Sequence, residues 1–157
     1  MASNAEQGFE QDTANIGKEE GVGEWFEMTQ DRINAFADTT LDHQFIHVDP
    51  VKAAELSPWK VTIAHGFLTL SMLVHLSGSV PRTETLSGVI MGVNYGFDKV
   101  RFINPVKVGS NIRVRSTLKD AQLKGNNIDV TRTMTVEIDG EDKPALVADW
   151  ITRLVFA

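Results

Sequence analysis

The sequence predicts an α+β fold, a single domain in which an antiparallel β-sheet wraps one long, buried helix. Three observations carry this. The run Phe67, Leu68, Leu70, Met72, Leu73 and Leu76 is apolar nearly all round, as a core helix must be. Beyond Pro81 the chain breaks into stretches rich in β-branched and aromatic residues, separated by Gly, Pro, Asn and Asp. The length of 157 residues, 42% of them hydrophobic, suits one core, because a chain of this size buries about 70% of its unfolded surface whereas two halves would each be marginal.

Residues 1–22 are polar and lack a sustained apolar period, so they read as a flexible or weakly ordered lead-in, with a short helix around Thr13 to Glu19. The domain proper then spans 23–157. Gly21 and Gly23 release into Trp25-Phe26-Glu27-Met28, a short strand. Thr29 is an N-cap, and Ile33, Phe36 and Ala37 share one face of a helix of about two turns. From Thr39 to Val48 the period is lost. Asp49-Pro50 turns the chain into another short helix through Ala53, Ala54 and Leu56, and Ser57-Pro58 breaks it again. His65-Gly66 opens the apolar helix, and Gly78 and Pro81 stop it.

The strands follow as Val89 to Asn94, Phe97 to Ile103, Ile112 to Leu118, Ile128 to Ile138 and Leu146 to Phe156. Lys124-Gly125-Asn126-Asn127 and Asp139-Gly140 are hairpin connections. Ile112, Val114, Ser116 and Leu118 alternate with Arg113, Arg115 and Thr117, which predicts one buried and one solvated sheet face.

Composition narrows the partners. Fifteen Lys plus Arg against 21 Asp plus Glu leave a net charge of −6, which attracts neither nucleic acid nor anionic lipid. The apolar run is interrupted by Ser71 and His75 and falls short of the roughly 20 residues that span a bilayer, so no membrane association is expected. The absence of cysteine removes disulfides and thiolate metal sites and leaves the redox compartment open; with neither a basic nor an apolar signal region at the N-terminus, a cytoplasmic location is the default expectation.

Two segments could carry chemistry. Asp42 and His47, five residues apart in FADTTLDHQFIHVDP, could act on water, the imidazole titrating near neutrality and the carboxylate orienting it; they could equally be turn-formers. In IAHGFLTLS, Gly66 at the first turn of a buried helix lets a carbonyl approach a free N–H that stabilises developing negative charge, or it simply permits close packing. Together the two segments fit one reaction on an acyl group. His43 and His47 have zinc-like spacing, but no helical period supports it and no Glu stands beside His43, so no metal is expected. Ser71 and Ser77 lack a nucleophile elbow, Gly92 and Gly96 make no dinucleotide fingerprint, and Lys99 and Arg101 read as a solvated strand face.

These segments, with NYGFDKVRFINPVKVGS, resemble the MaoC-like dehydratases, the hot-dog-fold (R)-specific enoyl-CoA hydratases, and among them the nodulation protein N-like branch. The resemblance runs from about Ile16 to Phe156. It implies a hot-dog domain, at least a homodimer, with an acyl-CoA or acyl-carrier-protein thioester bound near the subunit interface. It also implies that Asp42 and His47 activate water and shuttle protons, and that the Gly66 N–H receives the thioester carbonyl. His65, Gln44, Phe67 and Ser71 are candidate substrate contacts. The reaction implied is reversible syn hydration of trans-2-enoyl-CoA to (3R)-3-hydroxyacyl-CoA, with no metal and no organic cofactor, CoA being part of the substrate. Thioester hydrolysis on the same scaffold, or non-catalytic acyl-thioester binding, are the alternatives. The chain departs from the family at Leu41, where glycine is usual before the acid; leucine takes a positive φ only at a cost. Gln44-Phe45 replaces the commoner Asn-Pro, as in the nodulation protein N-like branch.

Overall fold

Alternating burial along the long strands builds the molecule. In β4 (Asn111–Lys124) the residues Ile112, Val114, Ser116 and Leu118 are buried and their neighbours are not, as the period of two demands. The strand pairs antiparallel with β5 (Asn127–Ile138), which pairs with β6 (Leu146–Phe156), which pairs with β3 (Val89–Phe102). On the other side β4 takes β1 (Glu19–Val22) and, further along, β2 (Phe26–Glu27), giving the order β1-β4-β5-β6-β3. The computed structural model describes residues 2–81 and 85–157. Gly125 and Asn126 close the β4–β5 hairpin, Gly125 at φ 61°, as the sequence predicts.

The two runs expected at 89–94 and 97–103 are one strand. Register shifts between Asn94 and Gly96 and between Asp98 and Arg101 absorb the extra residues, with Lys99 at φ 53°. Bulges bend a strand without ending it, so alternation breaks while pairing persists.

The central helix is α5 (Gly66–Ser71) continued by α6 (Leu73–Gly78). Met72 keeps helical φ and ψ and bonds at both ends, so the two form a rod of about 20 Å with one irregular turn. Its Leu68, Leu73 and Leu76 pack on Ile112, Val114, Met134, Val136, Leu146 and Ala148 of the sheet. The expectation that the whole helix is buried needs correcting. Phe67 is 69% and Val74 57% exposed, because the adjacent strand β3 is the sheet edge and covers no second face. Ile90, Met91, Val93, Tyr95, Phe97 and Phe102 of β3 are exposed with them.

The lead-in over residues 1–22 is also corrected. Residues Asn4–Asn15 form helix α1, closed at its start by a Ser3–Glu6 capping box, and residues Glu19–Val22 are β1. Ala5, fully buried, packs over Leu118, Ala121, Ile128, Val130 and Phe156, a second core on the part of the sheet that the central helix does not reach. The apolar period missing from α1 is replaced by small residues: a Cβ on Gly8 would lie 3.2 Å from Ile128. Among the described residues no helix is long and apolar enough to cross a membrane.

Three further helices, α2 (Gln30–Thr40), α3 (Phe45–Val48) and α4 (Pro50–Leu56), connect β2 to the central helix. Thr29 caps α2 as predicted, its hydroxyl accepting from the Arg32 N–H, and α2 runs three turns rather than two. Replacing Ala5 by Glu places a charge where no water reaches. Detachment of α1, seen as lost helical circular dichroism and a destabilisation of about 2–3 kcal/mol, is the expected result; an unchanged unfolding midpoint would contradict this packing.

Candidate active site

Helix α2 ends where chemistry begins. The hydroxyls of Thr39 and Thr40 donate back to the Ala35 and Phe36 carbonyls, and Leu41 turns left-handed at φ 63°, ψ 22°, with its side chain 80% exposed. The positive φ that glycine adopts freely is therefore taken by leucine, at a cost of about 1–2 kcal/mol. Asp42 follows. Its carboxylate is about half exposed and accepts only a long 3.4 Å bond from the Gln44 N–H, while its backbone carbonyl accepts 2.9 Å from His65 Nε2.

One helical turn, α3, then carries His47 inward to 6% exposure. The sequence suggests irregular backbone here; the turn is short enough to escape periodicity. His47 Nδ1 lies 2.7 Å from the Ile63 carbonyl. A carbonyl only accepts, so Nδ1 carries the proton and Nε2 keeps its lone pair. Ile63 returns a bond to the same turn through its N–H to the Ile46 carbonyl, 2.9 Å. From α2, Gln30 Nε2 donates 2.7 Å to the His47 carbonyl, and its oxygen accepts from Thr62 Oγ1. Burial, and then the neighbouring His65, hold the His47 pKa below its ordinary 6.5, although the Ile63 bond and the Asp42 charge pull upward. His47 is neutral at pH 7.

His65 lies beneath it. The two imidazoles stack at 3.8 Å and 24°, Phe36 closes the other side at 4.9 Å, and His65 is 2% exposed. Gly66 is the first residue of α5, so its N–H has no acceptor within the helix. A Cβ there would lie 3.0 Å from the Phe102 ring, which leaves no room for a larger residue without moving Phe102. His47, Gly66 and Phe102 line one cleft of about 200 Å³, with Ile63, Thr69 and Asn104. A larger cavity, about 360 Å³, lies under α1 against Leu118, Arg132 and Leu154, but no histidine lines it.

Of the candidates from sequence, Asp42, His47, His65 and Gly66 converge. Gln44 is the N-cap of α3, exposed, and its carbonyl accepts the His47 N–H. Phe67 points outward, edge-on to Phe102 at 5.9 Å, and Ser71 Oγ donates to the Phe67 carbonyl on the exposed face. His43 pairs with Asp38 at 2.8 Å. The side-chain donor atoms of Asp42, His47 and His65 lie within 4.8 Å of one another, a spacing open to a metal ion. The hydrogen bonds assign them otherwise. His47 Nδ1 and His65 Nε2 are each occupied by a backbone carbonyl.

Sequence reasoning gave no role to Gln30, the Ile63 carbonyl or Phe102. A polar residue after an N-cap carries no signal of its own. Phe102 lies in the quoted segment Asn94 to Ser110, where an aromatic one residue from a strand end was the available cue.

A family model described as a MaoC like domain matches residues 12–139. Nodulation protein N of Rhizobium leguminosarum bv. viciae is 49% identical over 145 residues, 91% of this chain and 88% of that protein. A protein named 3-hydroxyacyl-thioester dehydratase Z, of Mycobacterium tuberculosis, is 46% identical over 143 residues, 90% and 92% of the two chains. Among solved structures, the monoamine oxidase regulatory protein of Archaeoglobus fulgidus superposes with a TM-score of 0.72 at 25% identity, covering 90% of this chain and 91% of that one. An R-hydratase of Pseudomonas aeruginosa superposes at 0.70 and 20% identity, covering 90% and 83%, a likeness of fold alone. The fold is the hot dog expected, and the chain belongs to the MaoC-like dehydratase family of hydratases and dehydratases.

Proposed function

We propose that this chain catalyses reversible hydration of a trans-2-enoyl thioester, giving the (3R)-3-hydroxyacyl thioester, with CoA the carrier and no metal or organic cofactor. One observation carries the reading. A neutral imidazole with its lone pair on Nε2 and a free N–H at the start of a helix line one cleft, and a carboxylate stands beside the imidazole, their donor atoms within 4.8 Å. A water between Asp42 and His47 can donate to both, since that spacing suits a bridging molecule.

The chemistry then follows from the parts. As the water oxygen bonds to C3, the pair takes one of its protons and the C2=C3 electrons move toward the thioester carbonyl. The Gly66 N–H, reinforced by the helix dipole, meets the charge growing on that oxygen. Return of the proton to C2 from the same side completes a syn addition in which every atom of water is retained. The buried, neutral His47 is poised to accept a proton at pH 7.

The active unit in this reading is at least a homodimer. Strand β3 is a long sheet edge bearing exposed Ile90, Met91, Val93 and Tyr95, beside Phe67 and Val74 of the central helix. A contiguous apolar edge of this kind is rarely left to water, and pairing with its own copy satisfies it.

Asp42→Asn and His47→Gln are each expected to lower kcat about 10²- to 10⁴-fold in a crotonyl-CoA hydration assay while leaving the fold intact. In the wild type, kcat/KM should fall on the acid side with its midpoint below pH 6.5, because the His47 pKa is depressed below that ordinary value and the neutral ring is the working form. A near wild-type rate in either variant, or release of free thiol in place of the R alcohol, would sink the proposal. Val93→Lys with Ile90→Lys should convert the dimer to monomer by light scattering; an unchanged mass would argue against β3 as the interface.

A further inference from the structure

We infer that His65 is a positioning residue: its Nε2–H, bonded to the Asp42 carbonyl, holds Leu41 in the left-handed conformation from which the Asp42 carboxylate faces His47. The inference rests on the proposed hydration, in which Asp42 and His47 act on water.

Leu41 has nothing of its own to keep it at φ 63°. Its side chain is 80% exposed, and no backbone cap bond closes α2, whereas the C-cap N–H groups of α3 and α4 return to the Phe45 and Ala53 carbonyls. A leucine so placed relaxes toward negative φ unless the backbone that follows it is pinned. The 2.9 Å bond from His65 Nε2 to the Asp42 carbonyl pins the Asp42–His43 peptide, one residue on. The carboxylate itself accepts one long 3.4 Å bond from the Gln44 N–H and lies 4.0 Å from the same His65 Nε2, so its aim depends on the backbone beneath it and on that imidazole.

His65 is itself immobilised. It is 2% exposed, stacked on His47 at 3.8 Å and closed by Phe36 at 4.9 Å, on the residue that immediately precedes α5. Its other nitrogen, Nδ1, is buried without a hydrogen-bond partner. A purely space-filling residue at this position would be better served by leucine or phenylalanine, which leave no buried nitrogen unpaired. The imidazole is accounted for by its one donor. Glycine at position 41 would adopt the same conformation unaided, so the clamp and the leucine form a matched pair.

The test is a double-mutant cycle in crotonyl-CoA hydration, with His65→Leu and His65→Gln each made with and without Leu41→Gly. His65→Leu should lower kcat about 10- to 100-fold with KM changed by less than about twofold, the signature of a misplaced reacting group rather than lost binding. His65→Gln, whose amide Nε2 reaches the same carbonyl, should retain kcat to within about threefold. Leu41→Gly added to His65→Leu should recover kcat about tenfold or more, because the conformation then needs no clamp. If Leu41→Gly changes kcat by the same factor in both backgrounds, or if His65→Gln is as impaired as His65→Leu, the inference is overturned. Should His65→Leu fail to fold, His65→Asn, too short to reach the carbonyl, takes its place with the same expected loss and the same rescue. Active Asp42→Asn or His47→Gln proteins would instead overturn the hydration reading itself, whereas inactive ones beside a wild-type-like His65→Leu would overturn only the clamp.

Discussion

The site hangs on the short extended segment Thr62–Ala64. The Ile63 carbonyl accepts the hydrogen bond of the His47 Nδ1–H, the Ile63 N–H holds the Ile46 carbonyl, and the Ala64 N–H and Thr62 carbonyl bond to Val106 and Val108. Those four bonds fasten α3 on one side and the loop after β3 on the other. The next residues are His65 and Gly66, so the imidazole tautomer, the ring that stacks beneath it and the free helix N–H are all set by one stretch of backbone. Directional bonds to main chain are strong devices for such placement, because the backbone has few ways to yield once both of its neighbours are packed.

The rest of the fold serves that segment. The sheet supplies the floor, the central helix packs on it through one core with Gly66 at the site end, and α1 packs on it through a second core. Close packing between Gly66 and Phe102 brings the end of β3 against the helix N-terminus. Strand β3 is thus both a wall of the cleft and the open edge of the sheet, which couples the shape of the site to whatever covers that edge. Polar side chains on the opposite face form a lattice, with Glu137 between Arg113 and Arg115, and Asp129 paired with Arg153; partly exposed pairs of this kind contribute little stability singly.

Legibility in the sequence followed local physics. The bounds of β6 and the alternation of β4 were readable because a half-buried strand imposes a period of two, and Thr29 announced α2 through its capping chemistry. Helix α1 was missed because it packs through Ala5 and Gly8 rather than an apolar stripe, although Ser3 and Glu6 did spell a capping box. The single strand β3 was split in two because its bulges interrupt alternation, and outward-facing Phe67 and Val74 looked internal because hydrophobicity does not say which apolar face meets its own chain and which awaits another.

By itself the sequence determined the fold class, the capped helices and hairpins, and the identities of Asp42, His47 and Gly66 as the groups that could share one reaction. Each of these is a matter of local pattern or of side-chain chemistry. Only the tertiary structure decided which nitrogen of His47 is free, that His65 is spent on a carbonyl rather than offered to a ligand, and that Leu41 is left-handed. Those depend on residues 16 to 23 positions distant along the chain, and hydrogen bonds across such gaps leave no local trace. The residue before the acid, which sequence alone marks as a misfit, becomes intelligible once the imidazole that holds it is seen.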